Sequence, residues 1–239
     1  MKYVDLTLPS PEENLALDEA LLDWCEQGED EEIIRLWEAA SPFVVLGYSN
    51  KIRREVNLDS CRRLKIPILR RITGGGAVVQ GPGCLNYALI LRTAGSGPFS
   101  SAPGANCFIL KRLIEILRPV LGRYIALEGS TDLTLGGLKF SGNAQRRKKR
   151  FLLFHGTFLL HFDLALIEKV LRYPSNPPRY RNGRPHREFL TNLNLPTHAL
   201  KEALKAGWKA AGPLSQTPNG KVDELVRNRY ALKGWTWRT

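Results

Sequence analysis

Phe151 to Phe162, FLLFHGTFLLHF, is the longest apolar run in the chain, and it limits what the rest can build. It is too short to cross a bilayer, which takes about twenty residues as a helix. Its aromatic and aliphatic centre predicts a core strand, entered from the basic turn Arg146–Arg150. Such a strand needs partners, and the chain supplies several short β-rich runs. They are Tyr3 to Leu8, Glu32 to Trp37, Phe43 to Tyr48, Ile68 to Arg71, Ala77 to Val79 and Leu85 to Leu91. Leu133 to Leu135 and Leu138 to Ser141 form a hairpin closed by Gly136-Gly137, a two-residue turn that favours positive φ.

Helices are expected between them. Ser10-Pro11-Glu12-Glu13 offers an N-cap, a proline in the first turn and a capping-box glutamate, so a helix should run to about Gln27. Asn57 caps a brief helix over 58–64. After the loop GSGPFSSAPG, residues 106–121 carry a broad apolar face with Phe108, Leu110, Leu113, Ile114 and Leu117. Further helices are expected over 163–172, 197–211 and 221–231, with the Pro/Arg-rich stretch YPSNPPRYRNGRPHR as an irregular surface loop. Strands and helices mix without regular βαβ alternation. The predicted class is therefore α+β with a largely antiparallel sheet packed by helices, residues 1–239 forming a single domain with a helical C-terminal tail over 195–239.

The N-terminus carries a carboxylate-rich helix where a leader would be basic and then apolar, and no apolar run reaches about eighteen residues. No signal peptide or membrane partner is expected. The four cysteines are far apart, with no CxxC pair and no histidine at zinc spacing, which fits reduced thiols in a cytoplasmic protein. Net charge is +12 and unevenly placed. Residues 1–40 hold 12 Asp/Glu against 2 Lys/Arg, leaving 33 Lys/Arg against 11 Asp/Glu in the remainder. A field of that kind draws anions, whether nucleic acid, nucleotide phosphate or an acidic protein.

Two segments carry the chemistry. In RRITGGGAVVQGPGCLNYALIL, Arg70 to Leu91, three consecutive glycines lie between strands, so a ligand can approach main-chain N–H groups closely. Arg70 and Arg71 supply cations beside that opening. It is neither a Walker loop nor a dinucleotide fingerprint, and by itself it also reads as a flexible turn. In STDLTLGGLKFSGNAQRRKKRFLLFHGTFLL, Ser130 to Leu160, Lys139 sits on a strand before Ser-Gly-Asn-Ala. Alone it reads as a solvated lysine. Beside an anion cradle it supplies the fixed positive charge needed to bring a carboxylate and a phosphate together.

These segments resemble the signatures of the lipoate protein ligase A and octanoyltransferase group: RRxxGGGxVxHxxGxLNxS, DLxxxGxKxSGxAxRR and HHGTLLL. The likeness extends over roughly residues 1–190, through LALDEALL, LGYSN and the Arg184–Leu193 stretch. It implies the fold shared with biotin protein ligases, ATP and Mg²⁺ as cofactors, and lipoate or octanoate as substrate. It further implies an acidic lipoyl carrier domain as partner, with adenylation drawing on a separate accessory subunit or on a naturally short form. On the same basis Lys139 would contact both the acyl carbonyl and the α-phosphate of an acyl-adenylate. Arg71, Thr73, Gly74, Gly75, Gly76, Ala77 and Val78 would line the acyl and phosphate pocket. Asn86 and Asp132 would fall in the inner shell, and Ser141, Gly142 and Ala144 would frame the adenylate. Asp132 is open to holding Mg²⁺, orienting the incoming amine or stabilising the hairpin. His155 falls in the HGT element and also reads as a satisfied core histidine.

Three positions depart from the group's pattern: Gln80 replaces the histidine of the glycine element, Thr131 an asparagine, and Phe154 the first histidine of HHGT. Gln80 keeps a hydrogen bond and cannot ionise. Cysteine-dependent octanoyltransferases resembling this chain carry their nucleophile just before the Asp-Leu strand, where this chain has ALEGSTDL. Cys84, between Gly83 and Leu85, reads as a small residue that fits. The leading expectation is a two-step lipoate ligase, with an ATP-independent acyl transferase as runner-up and a non-catalytic binding protein as the third class. The run RRKKR at 146–150 is expected to dock the acidic carrier rather than nucleic acid, with a solvated turn as the alternative.

Overall fold

The computed structural model describes residues 1–93 and 97–238. Residues 95 and 96, the start of the predicted GSGPFSSAPG loop, lie outside them. Among the described residues the elements run β1 (Lys2–Asp5), α1 (Pro11–Gln27), β2 (Ile33–Trp37), β3 (Phe43–Leu46), α2 (Ile52–Glu55), α3 (Leu58–Arg63), β4 (Ile68–Arg70), β5 (Val78–Gln80) and β6 (Cys84–Arg92). There follow α4 (Ala102–Leu121), β7 (Ala126–Glu128), β8 (Asp132–Leu135), β9 (Leu138–Arg147), β10 (Phe151–Leu159), α5 (Leu164–Val170), α6 (His186–Phe189), α7 (Thr197–Gly207), α8 (Asn219–Leu225) and α9 (Lys233–Thr236).

The apolar run becomes β10, the middle strand of a seven-stranded sheet ordered β1-β2-β6-β10-β9-β8-β7. All its pairings are antiparallel except β1 with β2, and a second sheet, β4-β3-β5, stands beside it. The α+β class with a largely antiparallel sheet packed by helices is thus observed. Two boundaries moved for physical reasons. β9 continues to Arg147 although Gly142–Arg147 has little strand character, because β10 pairs its backbone residue by residue from Ser141 to Arg147. α4 starts at Ala102, four residues early, since Ser101 Oγ accepts from the Gly104 N–H and Pro103 is tolerated in the first turn. The helix expected over 221–231 divides into α8 and a wider π-turn over Val226–Tyr230.

Strand alternation sorts the core. Leu152, Phe154 and Phe158 of β10 face α4 and α7, while Phe151 and Leu153 face α1 and α8. Leu159 on that second face joins Cys84, the small sheet and α2, α3 and α5 in a third cluster. Between the second and third clusters the face carries the polar side chains of His155 and Thr157. The polar window is framed by packing on both sides. α1 is held in place by the predicted capping box, Glu13 N–H to Ser10 Oγ at 3.2 Å and Ser10 N–H to Glu13 Oε2 at 2.8 Å. Its buried Asp18 accepts from Arg35 of β2 at 2.5 Å, and Arg35 also donates to Asn14 Oδ1 at 2.6 Å. The C-terminal residues expected as a tail pack inward: α7 lies on α4, and α8 on α1. No described helix is long and apolar enough to cross a membrane.

Candidate active site

The triglycine loop links β4 to β5 and lies across the window. A Cβ built on Gly75 (φ 87°) would come 3.9 Å from Ala144 Cβ on β9. One same-face position further along β9, a Cβ on Gly142 would lie 2.8 Å from Lys139 Nζ. Gly142 therefore leaves the room into which the lysine folds. Same-face neighbours on a strand are about 7 Å apart, so the structure brings Lys139 and the glycine loop over adjacent positions of one strand. A Cβ on Gly47 would collide with the Gly75 carbonyl oxygen, so the LGYSN loop supports the triglycine loop from behind.

Arg71 sets the loop's shape. Its guanidinium is buried, donating to Gly74 O at 2.5 Å, Gly76 O at 3.0 Å and Thr73 Oγ1 at 2.9 Å. Among the described residues it forms no ion pair with a carboxylate, and burial pulls its pKa down to about 10. It remains a cation at neutral pH, answered only by carbonyl and hydroxyl dipoles. Thr73 Oγ1 also meets His155 Nε2 at 2.6 Å. Burial first, and the Arg71 charge second, push the His155 pKa down to about 3, so the ring is neutral under working conditions. A neutral ring next to a fixed cation is a positioning group here rather than a proton carrier.

Lys139 Nζ lies 2.8 Å from Asp132 Oδ1, and Tyr180 O–H donates to Asp132 Oδ2 at 2.7 Å. Tyr180 was missed in the sequence, where it belongs to a stretch that looks like irregular loop. It is placed by Arg184, which donates to Tyr180 O and to Gly137 O of the β8–β9 turn. The only signal was an aromatic residue among arginines in a Pro-rich segment. Asp132 is thus engaged at both oxygens, by the lysine on one and the phenol on the other. No cluster of three His, Cys, Asp or Glu suited to a metal occurs among the described residues.

The floor of the window holds further polar groups. Thr157 O–H donates to Asn86 Oδ1 at 2.6 Å and Gln80 Nε2 donates to Thr157 Oγ1 at 3.3 Å. Gln80 Oε1 and Asn86 Nδ2 are buried without a partner, leaving one acceptor and one donor unanswered beside the lysine and the loop. Of the apolar pair, Val78 packs against the α1 cluster and Ala77 against the third.

Two expectations need correction. Ser141 is buried opposite Phe158 and turns its hydroxyl towards Asn143 Oδ1 (3.4 Å), on the face away from the window. The irregular register between β8 and β9 shifts the alternation there. Arg70 does not flank the opening, because neighbours on a strand point to opposite sides. It donates to Gly47 O, Tyr48 O and Asn50 O and reaches Trp235 O and Thr236 O, pinning α9 to the LGYSN loop. The RRKKR run is tied to α1: Lys148 Nζ meets Asp23 at 2.6 Å, Arg150 meets Asp30 at 3.1 Å, and Glu26 accepts from the Arg150 N–H. Two of the run's five cations are thus paired, while Arg146, Arg147 and Lys149 have no carboxylate partner among the described residues.

Comparison with known proteins agrees with this geometry. Residues 10–205 match the family model described as lipoyl protein ligase A/B catalytic domain. Octanoyltransferase LipM of Geobacillus kaustophilus is 26% identical over 272 aligned positions, covering 99% of this chain and 98% of that protein. A putative lipoate-protein ligase A of Aeropyrum pernix is 30% identical, covering 95% of this chain and 88% of its own. Among solved structures, the bi-partite lipoate protein ligase of Thermoplasma acidophilum, described with its E2 lipoyl domain, gives a TM-score of 0.85 at 23% identity, covering 99% of this chain and 95% of that one. A lipoate-protein ligase A bound with ATP gives 0.83 at 24% identity, covering 99% and 98%. At those identities the structures speak for the fold.

Proposed function

The chain belongs to the lipoyl protein ligase A/B catalytic domain family of lipoate ligases and octanoyltransferases, and from that premise we propose that it is an ATP-dependent lipoate-protein ligase. A carboxylate oxygen of lipoate or octanoate attacks the α-phosphorus of ATP, forming acyl-adenylate and releasing pyrophosphate. The amine of a carrier lysine then attacks the acyl carbonyl, the amide bond forms, AMP leaves and the amine's proton passes to solvent. Lys139 holds the negative charge that develops in both steps, from a position fixed by Asp132. The exposed N–H groups of Gly74–Gly76, stiffened by Arg71, face the same anion, and Thr73 and His155 brace that arginine. Ala77 and Val78 line the acyl chain, Gly142 and Ala144 leave room for the adenylate, and Asn86 Nδ2 and Gln80 Oε1 await polar atoms of the substrate. Mg²⁺ would accompany the ATP phosphates and supply positive charge there. The carrier is a lipoyl domain.

The observation that carries this reading is where the thiols lie. A covalent acyl transferase needs a thiolate at the reacting carbonyl. Cys84 is fully buried with its thiol held above its ordinary pKa by desolvation, and its Sγ lies 3.9 Å from Val79 O. Cys25 and Cys61 are buried as well, with thiols pushed up to about 12 and about 11. Cys107 is exposed, on α4, across the sheet from the window. Residues 125–133, beside Lys139, hold no cysteine.

A second reading, ATP-independent octanoyl transfer from an acyl-carrier thioester, is favoured by the LipM relative that spans 99% of the chain. One assay separates them. Pyrophosphate release that depends on free lipoate or octanoate, with the matching mass added to a lipoyl-domain lysine, is expected. Transfer from octanoyl-carrier protein without ATP, and no pyrophosphate, would replace the ligase reading with the second. Running the chain alone tests at the same time whether a separate accessory subunit is needed.

A further inference from the structure

With Lys148 and Arg150 of the RRKKR turn paired to Asp23 and Asp30, most of the positive balance of residues 41–239 lies elsewhere. Lys51, Arg53 and Arg54 are exposed on and before α2, Arg172 and Arg179 are exposed between α5 and α6, and Arg187 is exposed on α6. Distant in sequence, the two groups are joined in space. Arg172 N–H donates to Glu55 O at 2.8 Å and its Nε to Val56 O at 3.2 Å, while Asn57 N–H donates to Val170 O at 2.8 Å. Ser175 also hydrogen-bonds Glu55. None of the six cations forms an ion pair among the described residues, although exposed Glu168 and Glu188 lie in the same segment.

Each end of this rim touches the site. Lys51 follows Asn50, whose Oδ1 accepts from the Gly47 N–H at 2.7 Å, and Gly47 backs the triglycine loop. Arg179 precedes Tyr180, which holds the carboxylate of the Lys139–Asp132 pair. The cations thus form one edge of the opening, from the support of the glycine loop to the support of the lysine.

We infer that this rim is the docking surface for the carrier: an acidic lipoyl-type domain seats its carboxylates on Lys51–Arg54 and Arg172–Arg187 and so brings its target lysine to Lys139. The inference rests on the proposed function for the identity of the partner, and on the geometry for its place. Unpaired exposed cations steer an acidic partner and set its register, and the attraction weakens with salt.

The test is a titration of a labelled, acidic apo-lipoyl domain with the full chain. Arg53→Glu/Arg54→Glu and, separately, Arg179→Glu/Arg187→Glu are each expected to weaken binding about tenfold. Binding by the unaltered chain should fall with added salt, and Lys148→Gln/Lys149→Gln should bind as the unaltered chain does. Unchanged affinity in both reversal variants, loss confined to the Lys148/Lys149 variant, or reversal-sensitive binding of a DNA duplex without any binding of the lipoyl domain would each overturn the inference. Rim-dependent binding together with octanoyl transfer from an acyl-carrier thioester without ATP would instead leave the docking surface standing and sink the ligase reading.

Discussion

Two buried arginines on either side of the polar window show two uses of the same charge. At the α1 interface, Arg35 meets Asp18 at 2.5 Å and its two terminal nitrogens donate to Asn14 and Leu6 oxygens as well, leaving only Nε without a partner. Under the triglycine loop, Arg71 has carbonyls and a hydroxyl but no carboxylate. The first arrangement is closed in charge, the carboxylate answering the guanidinium. The second leaves a net positive charge beneath an exposed backbone, and an incoming anion completes it. The same contrast separates Lys148 and Arg150 of the RRKKR turn, paired with Asp23 and Asp30, from the unpaired cations of the rim at 51–54 and 172–187.

The sharpest way to break the comparison is to open the closed pair. Asp18→Asn leaves Arg35 buried without its counter-charge and should cost about 3–5 kcal/mol of stability, read as a shift in the urea midpoint. Per folded molecule, ligation should change little, since Asp18 and Arg35 bond to none of the window's polar groups. A loss below about 1 kcal/mol would mean that the pair is no more than a surface contact in its energetics, and the contrast with Arg71 would lose its meaning.

The opposite change belongs to the window. Lys139→Met removes a cation that has one carboxylate partner and about a quarter of its side chain exposed. Stability should move little, while kcat for ligation should drop about 10²–10³-fold, the usual effect of removing one charge-stabilising donor. A large fall in thermal midpoint with retained turnover would make the Lys139–Asp132 pair structural, like Arg35–Asp18.

What the sequence disclosed follows the range of the interactions. The α1 cap, the Gly136-Gly137 hairpin and the core strand depend on neighbours a few residues away, and each was readable. The glycine loop and Lys139 were readable as separate pieces and, through the family signatures, as one site. Their meeting over Ala144 and Gly142 comes from the β9–β10 register, which no local pattern encodes. Ser141 was misplaced for the same reason, because an irregularity between strands reverses alternation. Tyr180 and the pairing of RRKKR with α1 join positions 48 and about 125 residues apart. Long-range charge pairing leaves no periodicity to read, so a basic run looks free until its partner is seen.

His155 provides the smallest effect and the most specific check on the open side of the comparison. Its folded pKa, about 3, lies below its ordinary value near 6.5, because the ring is buried beside Arg71. Below about pH 6.5 the unfolded chain takes up a proton that the folded chain refuses, so stability is full above that pH and falls as pH drops towards 3. Between pH 6.5 and 5 this one group should remove about 1.5 kcal/mol. His155→Gln can keep a hydrogen bond to Thr73 Oγ1 but cannot titrate, so its urea midpoint should fall less over that interval than that of the unaltered chain. The interval lies mostly above the range in which ordinary carboxylates protonate, which keeps their contribution from masking the difference. Parallel curves would mean that the ring is protonated in the folded state at pH 5. Arg71 would then have a second cation beside it, and the loop above would be held by something other than the neutral Thr73–His155 contact.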